Sequence, residues 1–188
     1  MTFRGHLGTV FTACFSPDGF KLVTACGGDC TAKVWNIQEG ECMDTLTLRQ
    51  QEDKVVFSAA FSPDASTVVS TFGDGVVKLW ALETGMCSAT CVGHTSIVYC
   101  AAFSPNGGSI VTASADKMVK VWRAETGECE ATFEGHCSDV LQAEFSPNGS
   151  MVLSCSDDNT AIVWSVREKQ CLVTFASDCG MKANWCPK

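Results

Sequence analysis

Short apolar or alternating runs, rich in Val, Ile, Phe and Thr, recur along the chain and are separated by clusters of Pro, Asp, Asn, Gly and Ser. Runs of this length and alternation predict β-strands, and nothing in the pattern has the spacing of an amphipathic helix. Residues 93–133 show the unit clearly. A first strand, Ile97 to Phe103, leads into a tight turn at Ser104-Pro105-Asn106-Gly107, where proline presets φ and Asn-Gly tolerates positive φ. A second strand, Ser109 to Ala113, turns at Ala115-Asp116-Lys117 into a third, Met118 to Arg123. Glu125-Thr126-Gly127 then turns the chain into a fourth, Glu128 to Phe133. Connections this short pair sequential strands antiparallel, so the unit is a four-stranded meander.

The unit repeats. Ser16-Pro17, Ser62-Pro63, Ser104-Pro105 and Ser146-Pro147 are spaced 46, 42 and 42 apart, and Trp35, Trp80, Trp122 and Trp164 step by 45, 42 and 42. The approximate repeats are 5–47, 51–91, 93–133 and 135–175, with residues 177–188 opening an incomplete fifth. A single meander that is apolar on both faces cannot bury itself. Radial stacking of such sheets, as in a β-propeller, solves that problem.

Composition narrows the class. Of 188 residues 46% are hydrophobic, and 13 Lys plus Arg against 21 Asp plus Glu leave a net charge of −8. A nucleic-acid footprint needs clustered cations, and none is present. No apolar stretch approaches the ~20 residues of a membrane-spanning helix, and Met1 to His6 lacks the core of a secretory signal, so the expected compartment is cytoplasmic or nuclear. Thirteen cysteines raise the question of disulfides or metal. No pair has Cys-x-x-Cys spacing, and Cys42, Cys87, Cys129 and Cys171 follow the tryptophan register, so reduced thiols are expected, these four at one repeated packing position.

Polar side chains keep the same register. Gly5-His6, Gly93-His94 and Gly135-His136 precede Trp35, Trp122 and Trp164 by 29, 28 and 28 residues. Asp29, Asp74, Asp116 and Asp158 stand six before each Trp, and Thr24, Ser70, Thr112 and Ser154 lie on the preceding strand. Across essentially the whole chain this pattern resembles the WD-repeat family. The resemblance implies an all-β fold: a partial β-propeller of four four-stranded antiparallel blades, with stubs of a preceding and a fifth repeat. It also implies that Trp, hydroxyl, His and Asp form a hydrogen-bonded tetrad in each blade. The inventory fits, since indole only donates, carboxylate only accepts, and hydroxyl and imidazole do both.

Departures are visible. Asn36, Ala81, Arg123 and Ser165 follow the tryptophans in place of the Asp that names the family, Gln51-Glu52 replaces Gly-His in the second repeat, and Lys169 replaces a turn glycine. Ser, His and Asp together also spell a hydrolase triad, but a triad is needed once and this set recurs. No Gly-x-Ser-x-Gly elbow or His-Glu-x-x-His is present. Asn148-Gly149-Ser150 has the form of a glycosylation sequon, and the Ser-Pro pairs that of kinase sites; their place in the repeated turn makes turn geometry the expected reason for both.

At the ends, Thr2 to Arg4 has the character of an outer strand of a preceding blade, and Ala183 to Pro187 matches Ala143 to Pro147. Three arrangements accommodate this: a fragment of a longer product, an arc completed by a second copy or another protein, or a closed ring of four. An open arc exposes apolar faces and strand edges.

The resemblance implies a rigid, non-catalytic scaffold that binds protein or peptide partners on the face bearing the loops into each first strand, with no cofactor, metal, nucleic acid or membrane. The alternative is an assembly subunit whose open edge pairs with another chain. Phe11, Phe57, Tyr99 and Leu141, five past each histidine position, are candidate anchors, with interblade packing as their other reading. Thr9, Val55, Ile97 and Asp139, with Gly28, Gly73, Ala115 and Asp157, would border the patch, and the negative charge favours a basic or mixed peptide. Lys33, Lys78 and Lys120 are expected on a solvated rim.

Overall fold

In a computed structural model the described residues are 2–39, 41–46 and 55–176. They form sixteen strands in four sheets, each a meander in sequence order. Sheet one contains β1 (Val10–Phe15), β2 (Lys21–Cys26), β3 (Thr31–Asn36) and β4 (Glu41–Leu46). Sheet two contains β5 (Val56–Phe61), β6 (Thr67–Phe72), β7 (Val77–Ala81) and β8 (Met86–Cys91). Sheet three contains β9 (Val98–Phe103), β10 (Ser109–Ser114), β11 (Val119–Arg123) and β12 (Cys129–Phe133). Sheet four contains β13 (Val140–Phe145), β14 (Met151–Ser156), β15 (Thr160–Ser165) and β16 (Gln170–Ala176). The expected strands are recovered within a residue at each end; Ile97 and Met118 fall in the turns.

The Ser-Pro turns owe their recurrence to geometry. Gly107, at φ +74°, donates its N–H to the Ser104 carbonyl at 2.9 Å, and the buried Ser104 hydroxyl accepts the Ser109 N–H at 2.9 Å. Serine thus ties the turn to the start of the second strand, and Ser16, Ser62 and Ser146 do the same.

The core lies between sheets. Val23, Ala25, Ala32 and Val34 of sheet one meet Val56, Ala59, Val68 and Trp80 of sheet two. Equivalent layers join sheets two and three, and three and four. Each inner strand packs on the next, β1 on β5, β5 on β9 and β9 on β13. No comparable packing joins β13 to β1 among the described residues, so the sheets form an open arc and not a closed ring of four.

Three expectations change. Thr2 to Arg4 forms no strand; instead the Phe3 ring packs edge-on against Trp35 at 5.5 Å. Cys42, Cys87, Cys129 and Cys171 pair opposite the tryptophans but are exposed, because the outer strand turns that side to solvent. The lysine rim is half-buried: Lys78 reaches over the Trp80 ring and Lys120 donates to Thr132 at 2.9 Å. No disulfide joins two cysteines among the described residues. Gln51, Glu52 and the 183–187 segment lie outside the described residues.

Candidate functional site

The repeated polar residues meet as tetrads. In sheet three the Trp122 indole N–H donates to Thr112 Oγ1 at 2.8 Å, and that oxygen lies 2.7 Å from His94 Nε2. His94 Nδ1 is 2.7 Å from Asp116 Oδ2, which also accepts the Thr95 N–H. One proton arrangement satisfies this chain: Trp donates to Thr, Thr to Nε2, and Nδ1–H to the carboxylate. Sheet four repeats it through Trp164, Ser154, His136 and Asp158, and sheet one through Trp35, Thr24, His6 and Asp29. In sheet two Trp80 donates to Ser70 at 2.8 Å, and Asp74 Oδ1 accepts the Val76 N–H. The extra residue of the first repeat is taken up in the turn between β2 and β3. Gly93, at φ +153°, lies against the Trp122 ring, where an added Cβ would sit 3.3 Å from the ring edge. The Gly of Gly-His is therefore part of the tryptophan's seat.

Burial pushes His94 and His136 below the ordinary value of 6.5, outweighing the pull of Asp116 and Asp158. Burial would raise the Asp116 carboxyl, but hydrogen bonds from His94, Thr95 and Met118 together hold it below its usual value. The same opposition brings Asp158 down to about 2, with Thr160 as its main stabilising partner. At neutral pH the pairs are therefore neutral imidazoles donating to carboxylates. Both shifts have the same consequence on acidification. The unfolded chain takes up protons on His near 6.5 before the folded one does, and on the carboxylates near 3.8 before the folded one does. Stability is expected to fall as pH drops below 6.5 and to fall further below 3.8, read as the urea midpoint across pH. His94→Gln with His136→Gln should flatten the upper limb; an unchanged slope there would contradict the assignment.

The hydroxyl, Nε2, Nδ1 and carboxylate stand in the order of a catalytic triad, yet the chemistry is blocked. Ser154 is 1% exposed and its oxygen already accepts the Trp164 N–H, so it cannot reach a substrate carbonyl. Among the described residues His6, Cys26 and Asp29 place possible metal-ligand atoms within 4.8 Å of one another. Both ring nitrogens of His6 are engaged by Thr24 and Asp29, so the tetrad already accounts for two of the three.

The candidate anchors share a feature that spacing does not reveal. In every first strand pair the register slips by one residue, between Val10 and Thr12, Val56 and Ser58, Val98 and Cys100, and Val140 and Gln142. The residues left without a pairing partner are Phe11, Phe57, Tyr99 and Leu141. A bulge re-aims the side chain it carries, and here it lines up side chains from successive sheets. Phe11 stacks on Phe57 with centroids 5.4 Å apart, and Phe57 meets the edge of Tyr99 at 5.8 Å. The Tyr99 hydroxyl donates to Asp139 Oδ2 at 2.9 Å. Gly27 leaves the room that the Phe11 ring fills. Burial raises the Tyr99 phenol, as do the carboxylates of Asp139 and Asp157. Packing and exposure coexist: Phe11 remains 49% exposed and Leu141 is exposed, while Phe57, Tyr99, Val55, Ile97 and Asp139 are half-buried and Thr9 and Asp157 exposed.

The WD domain, G-beta repeat family model matches residues 1–36, 40–81, 85–123 and 127–165. Pre-mRNA-splicing factor cwf17 of Schizosaccharomyces pombe is 33% identical over 95 residues, 50% of this chain and 26% of that protein. Protein tipD of Dictyostelium discoideum is 32% identical over 90 residues, 48% and 14% of the two chains. Transducin beta-like protein 3 of Bos taurus is 32% identical over 83 residues, 44% and 10%. The chain thus matches about a quarter or less of the length of these relatives. With the family model matched along most of its length and a tetrad in repeat after repeat, the chain belongs to the WD-repeat family.

Proposed function

We propose that the chain is a non-catalytic scaffold that binds a protein or peptide partner on the side where the bulged residues of its inner strands converge. The observation that carries this is the ladder Phe11, Phe57, Tyr99, which spans three sheets and stays partly open to solvent. Aromatic rings held rigid by their neighbours bind with little loss of side-chain entropy, which is why Tyr and other large aromatics dominate interface energetics. In this reading Leu141, Thr9, Val55 and Ile97 border the patch, and Asp139 and Asp157 give it its negative end. With a net charge of −8, a basic or mixed peptide is the favoured guest and a nucleic acid is not. The tetrads keep the scaffold stiff and take no part in contact.

Peptides selected from a random display library on the unmodified chain provide the probe. Phe57→Ala with Tyr99→Ala is expected to weaken their binding by about tenfold or more, the range of interface anchors. Selected peptides that bind this double variant as tightly as the original would remove the ladder from the binding surface.

A further inference from the structure

Sheets two and three leave a groove of about 630 Å³ between them, at the end of the first strands away from the aromatic ladder. The Ser-Pro turns of both sheets line it, with the buried Leu79 and half-buried Phe103 as apolar surface and Ser88 from the fourth strand of sheet two. Asp64 and Glu125 line it too, both exposed, and no lysine or arginine does among the described residues. The groove between sheets three and four, of about 370 Å³, holds a lysine of the chain itself. There the pairing of β11 with β12 slips and leaves Glu130 without a partner residue, and Lys169 donates from Nζ to the Glu130 carbonyl at 2.6 Å. The same slip in β8 leaves out Ser88. Sheet three, however, has Glu125 and Gly127 where sheet four has Arg167 and Lys169. An added Cβ at Gly127 would sit 2.5 Å from the Thr90 carbonyl oxygen, so sheet three cannot supply a side chain from there.

We propose that the groove between sheets two and three takes a lysine side chain from a peptide segment of a partner protein, in the place that Lys169 fills one junction along. A lysine has the two properties the lining asks for. Its alkyl stem packs on apolar surface such as Leu79 and Phe103, and its ammonium, which can only donate, meets the carboxylates of Asp64 and Glu125. Acidic residues without a basic one favour a cation over a neutral or acidic side chain. The space is larger than one side chain, so the residues on either side of the lysine are seated with it. Both walls belong to internal repeats, and the site is complete within sheets two and three. It lies at the opposite end of the first strands from Phe57 and Tyr99 and does not rest on the ladder as a binding surface.

The test titrates the blocked peptide Ala-Ala-Lys-Ala-Ala, and its counterpart with Gln for Lys, into the isotope-labelled full chain and follows the backbone amide signals. The lysine peptide is expected to give saturating shifts at Ser66, Ser88, Gly107, Gly108 and Glu125, and the Gln peptide to bind at least about tenfold more weakly, the loss of two charge contacts at a partly open site. Two variants remove the charges with little risk to the fold. Asp64→Asn installs the residue type of Asn106 and Asn148, and Asn106 Oδ1 accepts the Ser104 hydroxyl and the Gly108 N–H just as Asp64 Oδ1 accepts the Ser62 hydroxyl and the Ser66 N–H. Glu125→Arg copies Arg167 at an exposed turn position. Each should weaken the lysine peptide by about threefold and the pair by about tenfold or more, at an unchanged urea midpoint. Phe57→Ala with Tyr99→Ala should leave it as tight as before, so a failure of the ladder as a binding surface is read separately. Equal binding of the two peptides, full-strength binding to the Asp64→Asn, Glu125→Arg pair, shifts centred on the ladder, or no saturating shift at millimolar peptide would each overturn the proposal.

Discussion

Trp122→Ala is expected to destabilise the fold by about 3–5 kcal/mol, the cost of removing a large aromatic from a packed core. The indole is fully buried among Val98, Ile110, Val69 and Leu79, so its loss opens a void between sheets two and three. Four of the strands that line the void, β6, β7, β10 and β11, are hydrogen-bonded on both sides and have little freedom to collapse into it. Trp35→Ala should cost less. The outer side of Trp35 is covered by the Phe3 ring, on a segment outside any sheet that can move into the space. Urea unfolding followed by circular dichroism reads both. Equal losses at the two positions would show that sheet-to-sheet packing adds nothing at Trp122.

The second large effect is expected at Thr112, and it separates hydrogen bonding from volume. Thr112→Val keeps the shape of the side chain but leaves the Trp122 N–H without an acceptor and His94 Nε2 without a donor. Each stranded buried group costs about 1–3 kcal/mol. Thr112→Ser keeps the hydroxyl, as sheet four does with Ser154, and gives up one methyl, worth about 0.8 kcal/mol. The valine variant should therefore unfold at clearly lower urea than the serine variant. Coincident curves would mean that the tetrad contributes shape alone.

The repeat and its tetrads are legible because each residue type there has few alternatives. An indole can only donate and a carboxylate only accept, so equal spacing of both around a hydroxyl and an imidazole leaves one way to join them. Strand order follows equally directly from the short turns. The bulge at Phe11, Phe57, Tyr99 and Leu141 is another matter. Counting residues between landmarks fixes the length of a strand pair but not which residue goes without a partner. The exposed cysteines of the fourth strands were hidden for a similar reason, since a register shift follows the tryptophan pairing and breaks the simple in-and-out alternation. Exposure of the end faces escapes any local pattern. Phe15 and Phe145 occupy the same place in their repeats, and only the presence or absence of a neighbouring sheet distinguishes them.

The slipped register in each first strand separates two demands that usually conflict. Residues inside a ladder are held to a shape by the strands beside them, whereas an unpaired one answers to its surroundings alone. Phenylalanine, tyrosine and leucine already alternate at this place around the arc while the frame beneath stays constant. The side chain at this place can thus drift, repeat by repeat, on an architecture that does not have to change with it.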